Sequence, residues 1–289
     1  MNTIQKTGCL FLLLLAGISG HTQKAPSSSL LWQISGNGLT QPSYLFGTFH
    51  IMCREDFLLS DILKQKLAGT KQFYGELKMD DPNLSMQMAS RMAMPGKTLQ
   101  SMMTADDYKK ANARFQEITG MSMQLLDHFK PFMALSLITV NSLRCPDKVQ
   151  PETEFVQLAK DNHLPVLGLE TVDDEMNAID KEPLDSQVSS LKKMLLNFDS
   201  ARTELQDMLV IYKKRDIDSI YAFIKKQNSD DAFEQALLVT RNNSWVPVMQ
   251  KAMAAMPSFF AVGAGHLGGS EGVISLLRKR GYTLTPITY

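Results

Sequence analysis

An excess of charge of either sign is missing from this 289-residue chain, because 30 Lys and Arg residues balance 30 Asp and Glu residues. Nucleic acid and anionic membrane surfaces attract proteins that carry a positive excess. The balance therefore gives no reason to expect nucleic acid as a partner. The chain also lacks repeats of fixed period and low-complexity linkers, and 44% of its residues are hydrophobic. That composition is typical of a globular protein with a substantial core.

Long apolar runs are scarce, and the one at the N-terminus has the features of an export signal. Lys6 gives it a positive start, Cys9 to Ile18 is the apolar run, and small or polar residues begin at Ser19. The run is too short to span a bilayer comfortably, which argues against a stable membrane anchor. We predict a signal peptide over residues 1–20, with cleavage as late as residue 25. The product is then expected to be exported and soluble, in the periplasm or outside the cell.

Cysteine is scarce as well, since the chain has 3 and Cys9 would be lost with the signal peptide. The remaining Cys53 and Cys145 are an even pair in an oxidising compartment, where a disulfide is favoured. Such a bridge would close a loop of about 90 residues and stabilise the fold by about 2–4 kcal/mol. The alternatives are a Cys53 nucleophile beside His50 and two unpaired structural thiols.

Strand and helix patterns alternate along the rest of the chain. A hairpin opens it, with strands near residues 30–35 and 43–49 and a turn at Gly36-Asn37-Gly38. The alternation implies an α/β fold with a central, mostly parallel sheet flanked by helices. We expect one domain over residues 28–289, with two long helical insertions at about 80–144 and 172–256. Further strands are predicted at 71–77, 164–169, 258–262 and 282–288, and helices at 56–67, 105–118, 131–143, 151–161 and 270–280.

Two glycine–histidine motifs follow strands at opposite ends of the chain, at Gly47-Thr48-Phe49-His50 and Gly263-Ala264-Gly265-His266. A glycine loop at a strand end brings backbone close to a ligand and aims the imidazole into the crevice where α/β sheets bind ligands. Glu76 and Glu170 end two further predicted strands. Two histidines and two carboxylates suit Zn²⁺, Mn²⁺ or Co²⁺, with one glutamate as ligand and the other as general base.

Each of these residues also has a purely structural interpretation. The two histidines can bond to backbone in tight turns, and Glu76 can be a surface residue beside Lys78. Glu170 can cap or begin the acidic helix that follows it, because carboxylates favour the positive end of a helix. Arg241 can clamp a carboxylate inside the site or be an ordinary charge on a helix face.

Several familiar catalytic signatures are missing or incomplete. The run Gly263 to Gly268 matches the glycine pattern of a dinucleotide site, but that site needs an acidic residue about 20 positions later to bind the ribose. The chain ends at Tyr289, and residues 282–289 contain no Asp or Glu. The H-E-x-x-H, P-loop and G-x-S-x-G motifs are absent too. Nucleotide binding is therefore not expected.

Several short motifs follow one another in a fixed order along the chain. They are Leu31-Trp32-Gln33-Ile34-Ser35, Tyr44 to His50, Glu76, Leu167-Gly168-Leu169-Glu170-Thr171, Arg241-Asn242 and Val262 to Gly269. Taken together, these motifs resemble the TraB/GumN family, whose eukaryotic relatives include the Tiki metalloproteases, over nearly the whole mature chain. The resemblance implies an α/β fold related to erythromycin-esterase-like and haem-associated proteins, and a metal-dependent peptidase centre of His50, His266 and Glu76 supported by Glu170 and Arg241.

These observations lead to one functional prediction and one main alternative. We predict an exported metal-dependent hydrolase, with peptidase action on a peptide or protein as the favoured activity. Its catalytic residues would be Glu76, Glu170 and Arg241, and its metal ligands His50, His266 and Glu76, around Mn²⁺, Co²⁺ or Zn²⁺. The alternative is a non-catalytic protein that binds haem, a metal or a peptide signal through the same histidines. Fold analogy alone suggests a third possibility, a metal-assisted esterase for a small molecule.

Overall fold

A computed structural model of the protein describes residues 28–227 and 231–289. The predicted signal peptide at 1–20 lies outside these residues. Within the described residues, six strands form a central sheet in the order β6-β4-β7-β2-β1-β8, and two short strands form a separate ribbon, β3-β5. The strands are β1 (Leu31–Gly36), β2 (Ser43–Thr48), β3 (Met52–Cys53), β4 (Gln72–Gly75), β5 (Lys148–Val149), β6 (Val166–Gly168), β7 (Ser258–Gly263) and β8 (Tyr282–Ile287).

The central sheet is mostly parallel, as the alternation of strands and helices predicts. Strands β6, β4, β7 and β2 run parallel to one another. Strand β1 is antiparallel to both β2 and β8, so the opening hairpin supplies the antiparallel part. Because four neighbouring strands point the same way, their carboxyl ends meet at one edge of the sheet. That edge is where open α/β sheets bind ligands.

The two middle strands of the sheet are buried along their whole length. Every residue of β2 and of β7 is buried, including Phe259 and Phe260. Continuous apolar runs are typical of parallel strands that are covered on both faces. In the pairing of β2 with β7, Thr48 lies opposite Gly263. The two glycine–histidine loops therefore leave neighbouring strands at the same level of the sheet.

Helices cover the sheet and fill the long connections between its strands. Helix α1 begins later than predicted, at Asp61, because the Ser60 side chain caps it by accepting a hydrogen bond from the Leu63 amide. The helices are α1 (Asp61–Ala68), α2 (Leu84–Met92), α3 (Ala105–Thr119), α4 (Pro131–Ser142), α5 (Pro151–Asp161), α6 (Val172–Ile179), α7 (Leu184–Leu196), α8 (Phe198–Lys213), α9 (Ile217–Gln227), α10 (Asp231–Glu234), α11 (Arg241–Ala255) and α12 (Val273–Lys279). A π-helical segment, Gln235–Thr240, joins α10 to α11.

The helical connections have a core of their own beside the core of the sheet. It contains buried residues of α3, α4 and α7, such as Phe115, Ile138 and Leu191. Helices α3 and α4 come from the connection after β4, whereas α7 comes from the connection after β6. The two connections therefore pack on each other as one helical layer.

A disulfide joins strand β3 of the ribbon to the segment that precedes strand β5 in the sequence. Cys53 and Cys145 are bonded, with Sγ atoms 2.09 Å apart and Cα atoms 5.7 Å apart. Cys53 ends β3, which pairs with β5 just before α5. The bridge thus ties the chain that follows the first glycine–histidine loop to the chain that leads into α5.

No helix in the described ranges, 28–227 and 231–289, is long and apolar enough to cross a membrane.

Candidate functional site

The carboxyl edge of the parallel strands brings the predicted site residues to one region. His50 follows β2, Glu76 follows β4, Glu170 follows β6 and His266 follows β7. Arg241, the first residue of α11, reaches the same region from a helix that packs in the core of the sheet. The clustering follows from topology, since parallel neighbours end at a common edge.

Glu76 is held by one contact at each of its carboxylate oxygens. Oε1 accepts a 2.6 Å hydrogen bond from the Gly263 amide, and Oε2 accepts a 2.7 Å bond from Nη2 of Arg241. Lys78 pairs with Asp80 instead, so Glu76 is no surface partner of that lysine. Burial raises the pKa of Glu76, but the neighbouring His266, His50 and Arg241 and the Gly263 amide lower it to about 2. The carboxylate is therefore ionised over the physiological pH range.

Glu170 and Arg241 form a buried pair, with 4% and 9% of their side chains exposed. Nε of Arg241 lies 3.0 and 3.1 Å from the two oxygens of Glu170, and Nη2 lies 2.5 Å from Oε1. The Trp245 indole donates to Oε2 of Glu170 at 2.9 Å. Glu170 does not cap the following helix, because Thr171 and Asp174 form the capping box of α6. Arg241 is thus a clamp for two of the protein's own carboxylates, Glu76 and Glu170.

His50 is paired with Glu152, the second residue of α5. Its Nδ1 lies 2.8 Å from Oε1 of Glu152, which also accepts a 2.6 Å bond from the Thr48 hydroxyl. Crowding by protein lowers the pKa of His50, but the hydrogen bond and charge of Glu152, with Glu76 and Glu175, raise it to about 9. Because 68% of the His50 side chain is exposed to solvent, we attribute the net shift of its pKa to Glu152 rather than to burial.

His266 is buried and engaged at both ring nitrogens. Nδ1 lies 2.7 Å from Oδ1 of Asn242, and Nε2 lies 3.3 Å from Nη1 of Arg241. The Trp245 ring packs against the imidazole at 4.3 Å between centroids. Burial, together with the charges of Arg241 and His50, outweighs the influence of Glu76 and lowers the pKa of His266 to about 3. The ring is therefore neutral.

Gly263 provides the space in which the two halves of the site meet. A Cβ atom at this position would lie 3.1 Å from Nε2 of His50 and 3.2 Å from Oε1 of Glu76. These two atoms therefore share one small space above Gly263, which a larger residue would fill. A cavity of about 140 Å³ adjoins them. It is lined by His50, Phe73, Gly75, Glu76, Leu77, Met79, Gln150, Glu152, Val156 and Glu175.

Sequence reasoning missed two carboxylates of this cavity, Glu152 and Glu175. For Glu152 the sequence indicates only a position in the first turn of a helix, since Pro151 marks the start of the predicted helix at 151–161. Glu175 lies in the acidic first turn of α6, where its neighbours point to a helix end rather than to a site. Its Oε2 atom is buried and, within residues 28–227 and 231–289, has no hydrogen-bond partner. Burial, with the charges of Glu76 and Glu170, raises the pKa of Glu175 to about 7 against the opposing charges of Arg241 and His50.

A π-helical segment sets the direction of Arg241. Residues Gln235–Thr240 form this segment, and the backbone oxygen of Leu237 accepts a 3.2 Å bond from Nη1 of Arg241. Single π turns inside helices are common at functional sites. Trp245 lies one helical turn after Arg241, which places both side chains on the same side of α11.

The residues of this site offer a divalent metal two protein donors rather than three. His50 Nε2 and Glu76 Oε1 adjoin the same space, and Glu152 supports His50 in the way that outer carboxylates support ligating histidines. Within residues 28–227 and 231–289, no three His, Cys, Asp or Glu side chains are grouped so as to hold a metal ion. His266 faces Arg241 instead of this space. Two protein donors would leave the remaining positions of a divalent ion to water or substrate.

Comparisons with known proteins agree with this picture at the level of family. Metalloprotease TIKI2 of Danio rerio is 21% identical over 319 residues, which cover 88% of this chain and 60% of that protein. Metalloprotease TIKI1 of Danio rerio is 22% identical over 92% of this chain and 65% of its own length, and TIKI1 of Homo sapiens is 23% identical over 90% and 62%. The chain thus spans less than two thirds of the length of these relatives. No solved structure matches it.

A family model matches almost the whole described chain. The model is that of the TraB/PrgY/gumN family, and it covers residues 30–286, from one residue before β1 to one residue before the end of β8. The match includes both glycine–histidine loops, Glu76, Glu170 and Arg241. The chain belongs to the TraB/PrgY/gumN family.

Proposed function

We propose that this protein is an exported hydrolase that depends on a divalent metal and cleaves peptide bonds in a peptide or protein. The observation that carries the proposal is the His50–Glu76 pair above Gly263, which opens onto a cavity with polar and apolar walls. The names of the relatives, which are metalloproteases, support peptide hydrolysis and a metal. Mn²⁺, Co²⁺ and Zn²⁺ are the ions to test, because their preferences include imidazole and carboxylate donors.

His50 through Nε2 and Glu76 through its carboxylate would hold the ion. A divalent ion bound there would polarise the substrate carbonyl and lower the pKa of a bound water. Glu152 keeps the His50 ring oriented by accepting from Nδ1. Because the raised pKa of His50 leaves Nε2 protonated in the metal-free protein, a metal would bind at Nε2 by displacing that hydrogen. The ionised state of Glu76 over the physiological range keeps that carboxylate ready as a donor.

Glu170 is better suited to holding Arg241 than to acting as the general base. Both of its oxygens are occupied, by Arg241 and by the Trp245 indole, and only 4% of its side chain is exposed. Glu175 has a free oxygen beside the cavity. We assign to Glu175 the transfer of a proton from the attacking water to the leaving nitrogen as the C–N bond breaks. A carboxyl with a pKa near neutrality can both accept and return a proton.

The cavity also bears on the alternative of a haem-binding protein. Its volume of about 140 Å³ is below the ~300–1,000 Å³ typical of sites for drug-sized molecules and cofactors. It suits the scissile peptide group and a small neighbouring side chain. Apolar contact would come from Phe73, Leu77 and Met79, and polar contact from Glu152 and Glu175.

The test is a screen of a peptide library with the purified protein in Mn²⁺, Co²⁺ and Zn²⁺. We expect cleavage with at least one ion, and loss of about 100-fold or more in kcat/KM for His50→Ala and Glu76→Gln, because each removes a proposed donor. His128→Ala and Glu55→Gln are matched controls, since both residues are exposed and lie outside the cavity. Both controls should cleave as the wild-type protein does.

Two results would contradict the proposal. One is metal-dependent cleavage by the His50→Ala variant at the wild-type rate. The other is a Soret band of a bound haem after addition of haemin, together with no cleavage of any peptide in any metal, which would favour the binding-protein alternative.

A further inference from the structure

The second glycine–histidine motif places His266 in an environment that differs from that of His50. His50 is exposed and has one free nitrogen, whereas His266 is 4% exposed and has a partner at each nitrogen. The same motif therefore delivers two chemically different imidazoles to the site. The difference decides what the second histidine does.

The hydrogen bonds of Asn242 determine which nitrogen of His266 carries the proton. Nδ2 of Asn242 donates to the backbone oxygen of Glu271 at 2.9 Å and lies 3.4 Å from that of His266. With its NH₂ group facing two carbonyl oxygens, Asn242 must present Oδ1 to the histidine. Oδ1 can only accept, so Nδ1 of His266 carries the hydrogen. In a neutral ring, Nε2 is then the nitrogen with the lone pair.

That lone pair is already used by Arg241. Nη1 of Arg241 lies 3.3 Å from Nε2 of His266, and an arginine can only donate. The guanidinium is fixed on its other sides by Glu170, Glu76 and the Leu237 carbonyl. Turning it away would leave two buried carboxylates without their partner, which is costly. His266 therefore has no nitrogen left for another ligand.

We infer that His266 is a positioning residue that holds the Arg241 guanidinium against Glu76 and Glu170, and that it contributes no ligand to a metal. This inference refines the proposed function, on which it rests, because it limits the protein's donors to His50 and Glu76 and assigns His266 to the arginine clamp. It departs from the three-ligand set expected from the motifs. The low pKa of His266 agrees with it, since a neutral ring is required to accept from an arginine.

The first test is NMR of the wild-type protein labelled with ¹⁵N-histidine. The two-bond correlations of each ring reveal which nitrogen carries hydrogen. For His266 we expect a neutral ring with hydrogen on Nδ1, unchanged on saturation with Zn²⁺, whereas the His50 signals should move. The signals are assigned with His50→Ala and His266→Gln, and exposed His128 and His163 serve as internal references. A Zn²⁺-dependent shift of Nε2 of His266, or hydrogen on that atom, would overturn the inference.

The second test measures Zn²⁺ affinity and turnover in His266→Gln. A glutamine oxygen can accept from Arg241, but imidazole suits Zn²⁺ far better than an amide does. We expect Zn²⁺ affinity to stay within about tenfold of wild type in this variant, as for a change outside the ligand set. His50→Ala should lose it. Turnover should be partly retained in His266→Gln and be lower in His266→Ala. Equal loss of Zn²⁺ from His266→Gln and His50→Ala would contradict the inference.

The two tests separate failure of the inference from failure of the proposed function. If the wild-type protein binds no Zn²⁺ and cleaves no peptide, the proposed function fails. The NMR measurement still decides the role of His266 in that case, because the position of the ring hydrogen does not depend on metal or on turnover. Hydrogen on Nδ1 with an accepting Nε2 would support the arginine clamp, and any other state would overturn it.

Discussion

At the scale of single residues, the carboxylates of the candidate site differ in their hydrogen bonds. Glu76, Glu152 and Glu170 each accept two or more hydrogen bonds from the protein, and each is near a positive group. Glu175 differs from them, since its buried Oε2 atom has no hydrogen-bond partner among the residues that the structure describes. Buried polar atoms without partners are costly, so their retention points to a role outside stability. The proton-transfer role proposed for Glu175 is such a role.

We expect Glu175→Gln to make the metal-free protein more stable at pH 8. The pKa of Glu175 is about 7 in the folded protein and about 4.3 for a free glutamate. Below pH 4 both states are protonated, so the group has no effect. As the pH rises from 4 to 7, unfolding is increasingly favoured because ionisation is easier in the unfolded chain. The loss reaches up to about 4 kcal/mol above pH 7, since each unit of pKa is worth about 1.4 kcal/mol.

The measurement is urea unfolding of the wild-type protein and Glu175→Gln between pH 4 and pH 8. The free energies of unfolding should agree near pH 4 and separate as the pH rises. Glu55→Gln is the control, because Glu55 is exposed and should show no such separation. Parallel curves for Glu175→Gln and wild type would show that Glu175 ionises normally in the fold. Peptide cleavage should move the other way and decrease in Glu175→Gln.

At the scale of elements, the disulfide and the ribbon control how the first histidine loop meets α5. His50 lies shortly before Cys53, and Glu152 lies shortly after Cys145 and β5. Arg54 pairs with Glu154 across the same junction at 2.7 Å. The His50–Glu152 contact is therefore bracketed by a covalent bridge, a two-stranded ribbon and an ion pair. Loss of the bridge should loosen that contact before it affects the sheet.

Removing the disulfide in a Cys53→Ser/Cys145→Ser variant should lower the free energy of unfolding by about 2–4 kcal/mol, because the bridge restricts the unfolded chain. Zn²⁺ affinity should fall as well, by about tenfold, since Glu152 would hold His50 less firmly. Both quantities are measured with and without dithiothreitol. Dithiothreitol should lower both quantities in the wild-type protein to the values of the variant, and it should leave the variant unchanged. A variant as stable as the oxidised wild-type protein would contradict the prediction.

The elements also show how much the sequence can predict. The hairpin, the strands at β4, β6 and β7, and helices such as α5 follow from local patterns, and the structure confirms the mostly parallel sheet they imply. The cluster of strand-end residues follows from that topology. The pairing inside the cluster does not, because it depends on side-chain contacts between distant segments. Arg241 binding Glu76 and Glu170, and Asn242 orienting His266, are contacts of this kind.

At the scale of the whole molecule, the sheet and the helical layer have separate cores, and the site lies on the side of the sheet. The strand ends supply His50, Glu76, Glu170 and His266, α11 supplies Arg241 from the core of the sheet, and α6 supplies Glu175 from a small cluster of its own. The buried ion pairs of Arg241 tie α11 to the strand ends, because losing one partner would leave a buried charge unpaired. The single domain predicted over residues 28–289 stays a prediction that unfolding can test.

We expect the two layers to unfold together. The chain has 2 Trp residues, Trp32 in β1 and Trp245 in α11 beside the site. In a Trp32→Phe variant, fluorescence reports the site alone, while circular dichroism at 222 nm reports the helices throughout. A single cooperative unit gives the same urea midpoint for both signals. Two midpoints would show that the helical layer is a separate folding unit and would contradict the one-domain prediction.

The π-helical segment before α11 lets the helix hold one extra residue without turning the arginine clamp. A π turn contains one residue more than an α turn, and each residue of an α-helix turns its successor by about 100°. Deletion of one residue within Gln235–Thr240 would let an ordinary α-helix continue into α11. Because the π turn absorbs the extra residue, Arg241 and Trp245 would keep their side of the helix after such a deletion. A deletion between Arg241 and Trp245, by contrast, would turn Trp245 by about 100° relative to the arginine and away from Glu170. The spacing of these two residues within α11 is therefore the stricter requirement of the clamp.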